Sequence, residues 1–363
     1  MNAIKDWFSR YLSDPQVVFL LLVLVLGFGI IIYFGSMLTP VIAGVVVAYL
    51  LEGLVNQLEK TKMPRRVAVI LVFLLFVGLL LALLFILAPL LWRQITQLVQ
   101  ELPLMYSSLQ QEIRDAALGY LSFLPRGEVE DLLDTFYADM DPVGFGQNVV
   151  AYTLSSIPSV ITLLVYLILL PILVFLFLKD KQKIINWGLN YLPENQQLVE
   201  LVWRDMTIQI GNYVRGKSLE IIIVGVVTYI TFSLMGLRFS ALLAMLVGLS
   251  VVVPYIGAVV VTLPVAIVAY SQWGLAPDFG YILLAYLIIQ AIDGNLLVPL
   301  MFSEVVNLHP IAIIMAVLFF GGLWGFWGVF FAIPLATLVQ AVISALPRSV
   351  QAVSLAPESD GSE

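Results

Sequence analysis

The stretch from Ile288 to Pro310 contains the residues of this sequence best suited to chemistry inside a membrane. Asp293 ends a long uncharged run, and an acid in such sequence is costly unless it faces a bundle interior or a wet cavity. We therefore interpret Asp293 as a coupling or gating carboxylate. The candidate transport and gating residues of the stretch are Asp293, Gly294, Asn295, Pro299, Glu304, His309 and Pro310.

These side chains also have structural interpretations. Asp293 could cap a helix, because aspartate accepts hydrogen bonds from open backbone amides. Asn295 could coordinate an ion, orient Asp293 or satisfy an open backbone. His309 titrates near neutral pH and could relay protons with Glu304. The same histidine could instead lie at a loop-to-helix junction, with Pro310 at the first helical position.

The backbone of this stretch is expected to be interrupted. Gly294, Pro299 and Pro310 break the helical pattern and leave carbonyl and amide groups without helical partners. In a membrane such groups are tolerated only where protein or water satisfies them. A broken helix carrying a carboxylate is a common form of transport site.

The composition places these residues in a polytopic membrane protein. Sixty-one per cent of the residues are hydrophobic and 11% are charged. The chain has no cysteine and one histidine, which excludes a disulfide framework, a thiolate zinc site and a multi-histidine metal site within one chain. There is no zinc-protease helix and no phosphate-binding Gly-x-x-x-x-Gly-Lys loop. We predict a protein that is not an enzyme, has no cofactor or resident metal, and does not use ATP itself.

The apolar runs predict an all-α fold with about six to eight membrane segments. A hairpin of two spanning helices, about 16–34 and 38–58, is expected first, and Val67 to Leu91 gives a third span. The later part of 142–178 gives a fourth span that stops at Lys179-Asp180-Lys181, and Glu220 to Leu237 a fifth. The predicted divisions are N-terminal membrane helices (1–98), an acidic helical module (99–147), a fourth membrane helix (148–180), a cytoplasmic amphipathic segment (181–217), a transport core (218–346) and a disordered tail (347–363).

Basic residues predict the orientation of these segments. Of the 17 Lys and Arg residues, all but Arg93, Arg114, Arg126 and Arg238 fall on one predicted side. Because cytoplasmic loops are enriched in Lys and Arg, we expect both termini in the cytoplasm and the acidic module outside, in the periplasm.

The transport core reads as an internal repeat, roughly 218–272 and 285–343, with a Gly- and Pro-broken segment in each half. Each broken segment could cross the membrane as a kinked helix, or dip in and return as a re-entrant hairpin. We favour hairpins in an inverted repeat, because their arms are short for spans. The expected hairpin tips contain Pro254, Tyr255, Gly257, Gly325, Gly328 and Pro334.

A polar group precedes the fifth span and could line a cytoplasmic vestibule: Gln209, Asn212, Tyr213, Arg215, Lys217 and Glu220. Arg215 and Lys217 are interpreted as anchors that snorkel to the membrane surface. Glu220 lies one step into the apolar run and could pair with one of them.

Three blocks carry a family resemblance: PYIGA at 254–258, the DGN-to-LHP stretch, and GLWGFWGVFFAIPLA at 322–336. Leu-Lys-Asp at 178–180 and Tyr213 with Arg215-Gly216-Lys217 add to it. On these residues the sequence resembles the autoinducer-2 exporter family of bacterial transporters. Within that family it most resembles the PerM permeases. The resemblance implies an oligomeric inner-membrane protein that exports a small polar signalling molecule or exchanges sodium for protons.

Three functions are compared. The leading hypothesis is secondary transport of a small polar solute, with or without a coupled H⁺ or Na⁺. The second is a Na⁺(Li⁺)/H⁺ antiporter that uses Asp293. The third is a membrane scaffold that presents the acidic module, but a scaffold needs neither broken helices nor intramembrane acids.

Overall fold

The computed structural model describes residues 15–120, 125–138, 160–190, 197–302 and 308–340. Within these ranges the regular elements are all helices. Among the described residues, six helices are long and apolar enough to cross a membrane, namely Met37–Glu59, Arg65–Tyr120, Thr207–Leu234, Ile256–Trp273, Pro277–Met301 and Pro310–Phe330. The predicted all-α polytopic membrane fold is confirmed. The predicted tail (347–363) lies outside the described residues.

We number the helices in chain order. They are α1 (Pro15–Glu59), α2 (Arg65–Ala82), α3 (Ala88–Tyr120), α4 (Arg126–Ala138), α5 (Val160–Leu189), α6 (Gln197–Leu234), α7 (Ser240–Ser250), α8 (Ile256–Trp273), α9 (Pro277–Ile292), α10 (Val298–Phe302), α11 (Pro310–Phe330) and α12 (332–340). Two π-helical turns, Leu83–Leu87 and Asp293–Leu297, join α2 to α3 and α9 to α10 without a break.

The predicted N-terminal hairpin is wrong, because α1 is one helix from Pro15 to Glu59. Pro40 lies inside this helix, and the hydroxyl of Thr39 donates to the carbonyl of Gly35 at 3.0 Å. An apolar environment supplies no water to a broken backbone, so a proline is accommodated within a membrane helix more readily than in solution. The glycine and proline that suggested a turn therefore do not end the helix.

The predicted stop of the fourth span at 179–181 coincides with a kink in α5 at Asp180, where φ is −104° and ψ is 16°, and a further helical stretch runs on to Leu189. Another boundary differs from the prediction. The amphipathic segment and the fifth span are one helix, α6. Charge changes mark where a helix changes environment, and they do not mark where its hydrogen bonding stops.

Helices α1, α2 and α5 form an N-terminal bundle around a small apolar core. The core residues are Ala48, Val55, Ala68, Val69, Val72, Val174 and Leu178. A second core is formed by residues of four successive helices, α6, α7, α8 and α9, together with the first half of α3. α1 also contacts α6 and α11, which connects the bundle to the C-terminal half.

Helices α7 and α8 form an antiparallel hairpin, which we call hairpin 1. Gln272 near the end of α8 donates to the carbonyl of Gly236 at 2.9 Å and accepts from the amide of Arg238 at 2.8 Å. The two open ends of the hairpin therefore lie side by side. The tip lies at 251–255, where Tyr255 has a φ of 64°. A Cβ at Gly257 would overlap the carbonyl of Ser250, so the arms touch through the glycine.

A similar turn lies in the last part of the described chain, which we call hairpin 2. Gly325 has a φ of 58° and interrupts α11, and α12 follows from 332. A Cβ at Gly328 would overlap the carbonyl of Phe320, as at Gly257 in hairpin 1. Both predicted tips thus contain a left-handed residue followed by a glycine in backbone contact. The membrane depth of the hairpins and the inverted repeat stay predictions.

Helix α3 continues past the predicted boundary at residue 98 and packs against the open end of hairpin 1. Gln94 accepts from the amide of Leu242 at 2.8 Å, and Arg238 donates to Glu101 at 2.5 Å. Farther along, Arg114 pairs with Asp134 and holds α4 against α3. The described part of the acidic module is therefore attached to the transport core through α3.

Candidate functional site

A cavity of about 540 Å³ lies between α6, the α9–α10 segment and the tip of hairpin 1. Its lining comprises Tyr213, Lys217, Glu220, Val251, Val253, Pro254, Tyr255, Ala258, Gln290, Asp293, Gly294, Val298, Pro299, Leu308, Ile313 and Ile333. The wall therefore includes residues from all three predicted groups: the gating stretch, a hairpin tip and the vestibule. Sites of this size commonly hold a small organic molecule.

Helix α6 contributes a lysine and an acid to the cavity. Tyr213, Lys217, Glu220, Val224 and Thr228 are all buried and recur at the three- and four-residue spacing of one helix face. Lys217 Nζ donates to both carboxylate oxygens of Glu220, at 2.9 and 2.8 Å. Lys217 is only 4% exposed, so its interpretation as a surface anchor is wrong. The suggested pairing of Glu220 with a neighbouring base is confirmed.

Helix α9 contributes a second polar face, formed by Tyr286, Gln290 and Asp293. Asp293 is 7% exposed, and its Oδ1 has no hydrogen-bond partner among the described residues. Gln290 Nε2 is also buried and has no hydrogen-bond partner among the described residues. Lys217 is close enough to act electrostatically on Asp293. One lysine thus lies near two carboxylates.

The backbone at Asp293 is not unwound as the sequence suggested. α9 passes into a π-helical turn, Asp293–Leu297, and then into α10, which contains Pro299. A π turn inserts one extra residue into a helix, shifts the side chains that follow and often occurs at functional sites. This turn accommodates the local strain without a break, so the expected interruption is wrong for residues 293–302.

The tip of hairpin 1 is bonded on both arms to the helices that carry the acids. Lys217 Nζ donates to the carbonyl of Val251, at the end of α7, at 2.8 Å. The Tyr286 hydroxyl donates to the carbonyl of Ala258, in the first turn of α8, at 2.6 Å. Thr262 also donates to Ala258, at 2.8 Å.

Several predicted residues lie apart from the cavity wall. Asn295 is exposed and donates to the carbonyl of Ala291 at 2.8 Å, within its own helix. His309 caps α11 by accepting from the amide of Ile311 at 3.3 Å, and Pro310 is the first helical residue. The structural interpretation of this junction is confirmed. Glu304 lies outside the described residues.

The remaining predicted residues are also absent from the lining of the cavity. Arg215 is exposed, and its guanidinium lies 4.6 Å from the centre of the Tyr49 ring. Gln209 and Asn212 are half-buried on α6. Gly325, Gly328 and Pro334 belong to hairpin 2, whose Ile333 does line the cavity.

A second ionic cluster was missed by the sequence analysis. Glu52 on α1 is 6% exposed and accepts from Arg65 at 3.0 and 3.1 Å and from Lys181 at 3.0 Å. Arg65 also donates to the carbonyl of Leu178 at 3.2 Å. The cluster joins α1, α2 and α5 at one end of the N-terminal bundle. The basic turn beside Glu52 was the available signal, and it was used only for orientation.

Apolar helices around a cavity with buried charges define a multi-pass membrane protein with an internal polar site. Membrane transport proteins combine apolar spanning helices with a charged internal cavity, whereas a scaffold needs no such cavity. The chain belongs to the AI-2E transporter family, whose family model matches residues 19–348. The resemblance to the autoinducer-2 exporters is thereby confirmed.

Individual relatives match over almost their full length. The chain is 46% identical over 347 residues to PerM of Escherichia coli (strain K12), named as a permease, covering 96% of this chain and 98% of the relative. It is 25% identical over 348 residues to YueF of Bacillus subtilis (strain 168), named as a transport protein, with 93% of each chain covered. Membership of a transporter family agrees with the prediction that the protein is not an enzyme.

Proposed function

We propose that this protein is a secondary transporter that carries a small polar solute through the cavity between α6, the α9–α10 segment and hairpin 1. The observation that carries the proposal is the buried carboxylate of Asp293, which lines the cavity and has an oxygen without a hydrogen-bond partner among the described residues. A buried unpaired charge costs several kcal/mol. Such a cost is retained more readily where a ligand or proton meets the charge during function.

The tip of hairpin 1 is the proposed gate. It forms part of the cavity wall through Val253, Pro254 and Tyr255, and it is held by hydrogen bonds from Lys217 and Tyr286. The neutral bond from Tyr286 contributes about 0.5–1.5 kcal/mol and the charged bond from Lys217 about 1.5–3 kcal/mol. Those magnitudes suit contacts that must form and break during each transport cycle.

The finer parts of the proposal concern the membrane. We place the protein in the bacterial inner membrane with both termini in the cytoplasm, because the Lys and Arg distribution favours that orientation. Hairpins 1 and 2 are proposed to be re-entrant and related as an inverted repeat, with their tips near the middle of the membrane. A homo-oligomer and coupling to H⁺ or Na⁺ are further parts of the hypothesis.

Reconstitution of the full chain in proteoliposomes tests the transport role. Asp293→Asn keeps the shape of the side chain and removes its charge, so we expect an intact fold and at least a tenfold loss of solute flux. Asp278→Asn is the matched control, because Asp278 is exposed at the other end of α9. Normal flux through Asp293→Asn would reject the role of Asp293, and equal loss in both variants would show a general effect of the substitution.

A further inference from the structure

The charges of the cavity specify more than transport. We infer that the cavity selects a small organic solute that carries one protonated amine. This inference rests on the proposed function, since it names the class of solute for the same site.

The first argument is charge balance. Among the described residues that line the cavity, Lys217, Glu220 and Asp293 are the ones that carry charge. Lys217 is hydrogen-bonded to both oxygens of Glu220, and one ammonium group cannot neutralise two carboxylates. The ionised site therefore has an excess of one negative charge. A solute with one positive charge balances it, whereas an anion adds to the imbalance and a dication reverses it.

The second argument is the unused hydrogen-bonding capacity of the wall. An ammonium group has three donors and requires acceptors. Asp293 supplies such an acceptor, because its Oδ1 has no hydrogen-bond partner among the described residues. Tyr213 and Tyr255 bring aromatic side chains to the same cavity, and aromatic rings attract cations.

The third argument separates an organic cation from a bare metal ion. Within the described ranges no group of three or more His, Asp or Glu side chains could hold a metal ion. The carbonyl oxygen of Val251 already accepts a hydrogen bond from Lys217, so it is less available to bind a metal ion. The cavity is also far larger than a single ion, with apolar wall residues such as Val253, Val298 and Ile333 that can contact a carbon chain.

A matched series of probes tests the inference by binding alone. The full chain in lipid nanodiscs would be melted in an amine-free potassium buffer at neutral pH with 5-aminopentanol, 1,5-pentanediol or 5-hydroxypentanoate. These probes differ mainly in charge, and an alkylamine is protonated at this pH. A ligand that binds the folded state raises its melting temperature. We expect a half-saturating concentration for the amine at least tenfold below that for the diol, and no stabilisation by the acid.

Variants assign the preference to the cavity. Asp293→Asn should reduce the preference for the amine over the diol at least tenfold. Asp278→Asn should leave this preference unchanged. Asp293→Glu keeps the charge and should retain part of the preference, so that the role of charge remains measurable if Asp293→Asn fails to fold. Equal half-saturation by amine and diol, preference for the acid, or loss of the amine effect in Asp278→Asn would each overturn the inference.

Sodium chloride in the same assay distinguishes a bare-cation site. Stabilisation by Na⁺ that Asp293→Asn abolishes, without any amine effect, would replace the inference with a metal-ion site. The outcome for transport is separate. Amine binding without flux in proteoliposomes would reject the proposed transport function and keep the inference that the cavity binds amines. Flux of the diol without a preference for the amine would keep the transport function and reject the inference.

Discussion

The hydroxyl of Tyr286 donates a 2.6 Å hydrogen bond to the carbonyl oxygen of Ala258 and thereby ties α9 to the first turn of α8. Asp293 lies two helical turns farther along the same face, so the residue that holds the tip and the acid of the cavity belong to one rigid element. Lys217 and Glu220 have the same relationship on α6. A ligand that shifts either helix would therefore act on the tip directly.

Removing the Tyr286 hydroxyl should loosen the tip. In Tyr286→Phe, the carbonyl of Ala258 loses its hydrogen bond to α9 and keeps the side-chain bond from Thr262 within α8, and we expect a loss of about 1 kcal/mol in tip closure. A single cysteine at Val253, which the cysteine-free chain makes possible, should then react several-fold faster with a methanethiosulfonate reagent. Tyr281→Phe, at an exposed tyrosine of the same helix, is the control. An unchanged labelling rate in Tyr286→Phe would show that the tip does not depend on this bond.

The cluster at Glu52 should stabilise the N-terminal bundle. Glu52→Gln leaves Arg65 and Lys181 without their shared counter-charge, and breaking a buried pair of this kind is strongly destabilising. Because both bases are partly exposed to solvent, we expect about 1–3 kcal/mol, measured as a lower melting temperature in detergent. Glu59→Gln removes the more exposed partner of Arg65 and should cost about 0.5 kcal/mol or less. Equal melting temperatures for the two variants would contradict the assignment.

The glycines at the two tips should not tolerate a methyl group. A Cβ at Gly257 or Gly328 would overlap a backbone carbonyl, which cannot move aside as a flexible side chain can. We expect Gly257→Ala and Gly328→Ala each to cost about 1–3 kcal/mol or more and to lower the yield of monodisperse protein. Gly280→Ala, at a glycine of α9 with open space around it, should fold at least as well as the parent chain. Normal yield and melting temperature in both tip variants would mean that the arms do not meet at these glycines.

The fold class was predictable because it depends on composition and on the length of apolar runs, and both are properties of the sequence alone. The two tips were predictable for a related reason. A close backbone contact at a turn favours glycine, and the glycines of PYIG and GLWGFWG mark such points.

Two predicted helix ends were wrong, since Gly35 with Pro40 and Gly294 with Pro299 did not end their helices. In an apolar environment the backbone keeps its hydrogen bonds across residues that would end a helix in water. The contact between α9 and hairpin 1 was also hidden, because Tyr286 reaches Ala258 only after α8 and α9 pack together. Tyr286 has no local sequence signal that distinguishes it from other residues in an apolar helix.

Accessibility from the two sides of the membrane tests the orientation and hairpin 1 together. Ser240 is the first residue of α7 and Leu275 follows α8, and the hydrogen bonds of Gln272 to Gly236 and Arg238 bring these two ends together. If hairpin 1 is re-entrant, cysteines at both positions should react with an impermeant thiol reagent from the same side. Because the acidic module is expected outside, a cysteine at Ser108 should react from that side in intact spheroplasts, and one at Thr61 in the basic turn should react only after the membrane is opened. Labelling of Ser240 and Leu275 from opposite sides would replace the re-entrant hairpin with two crossings, and labelling of Thr61 in intact cells would invert the orientation.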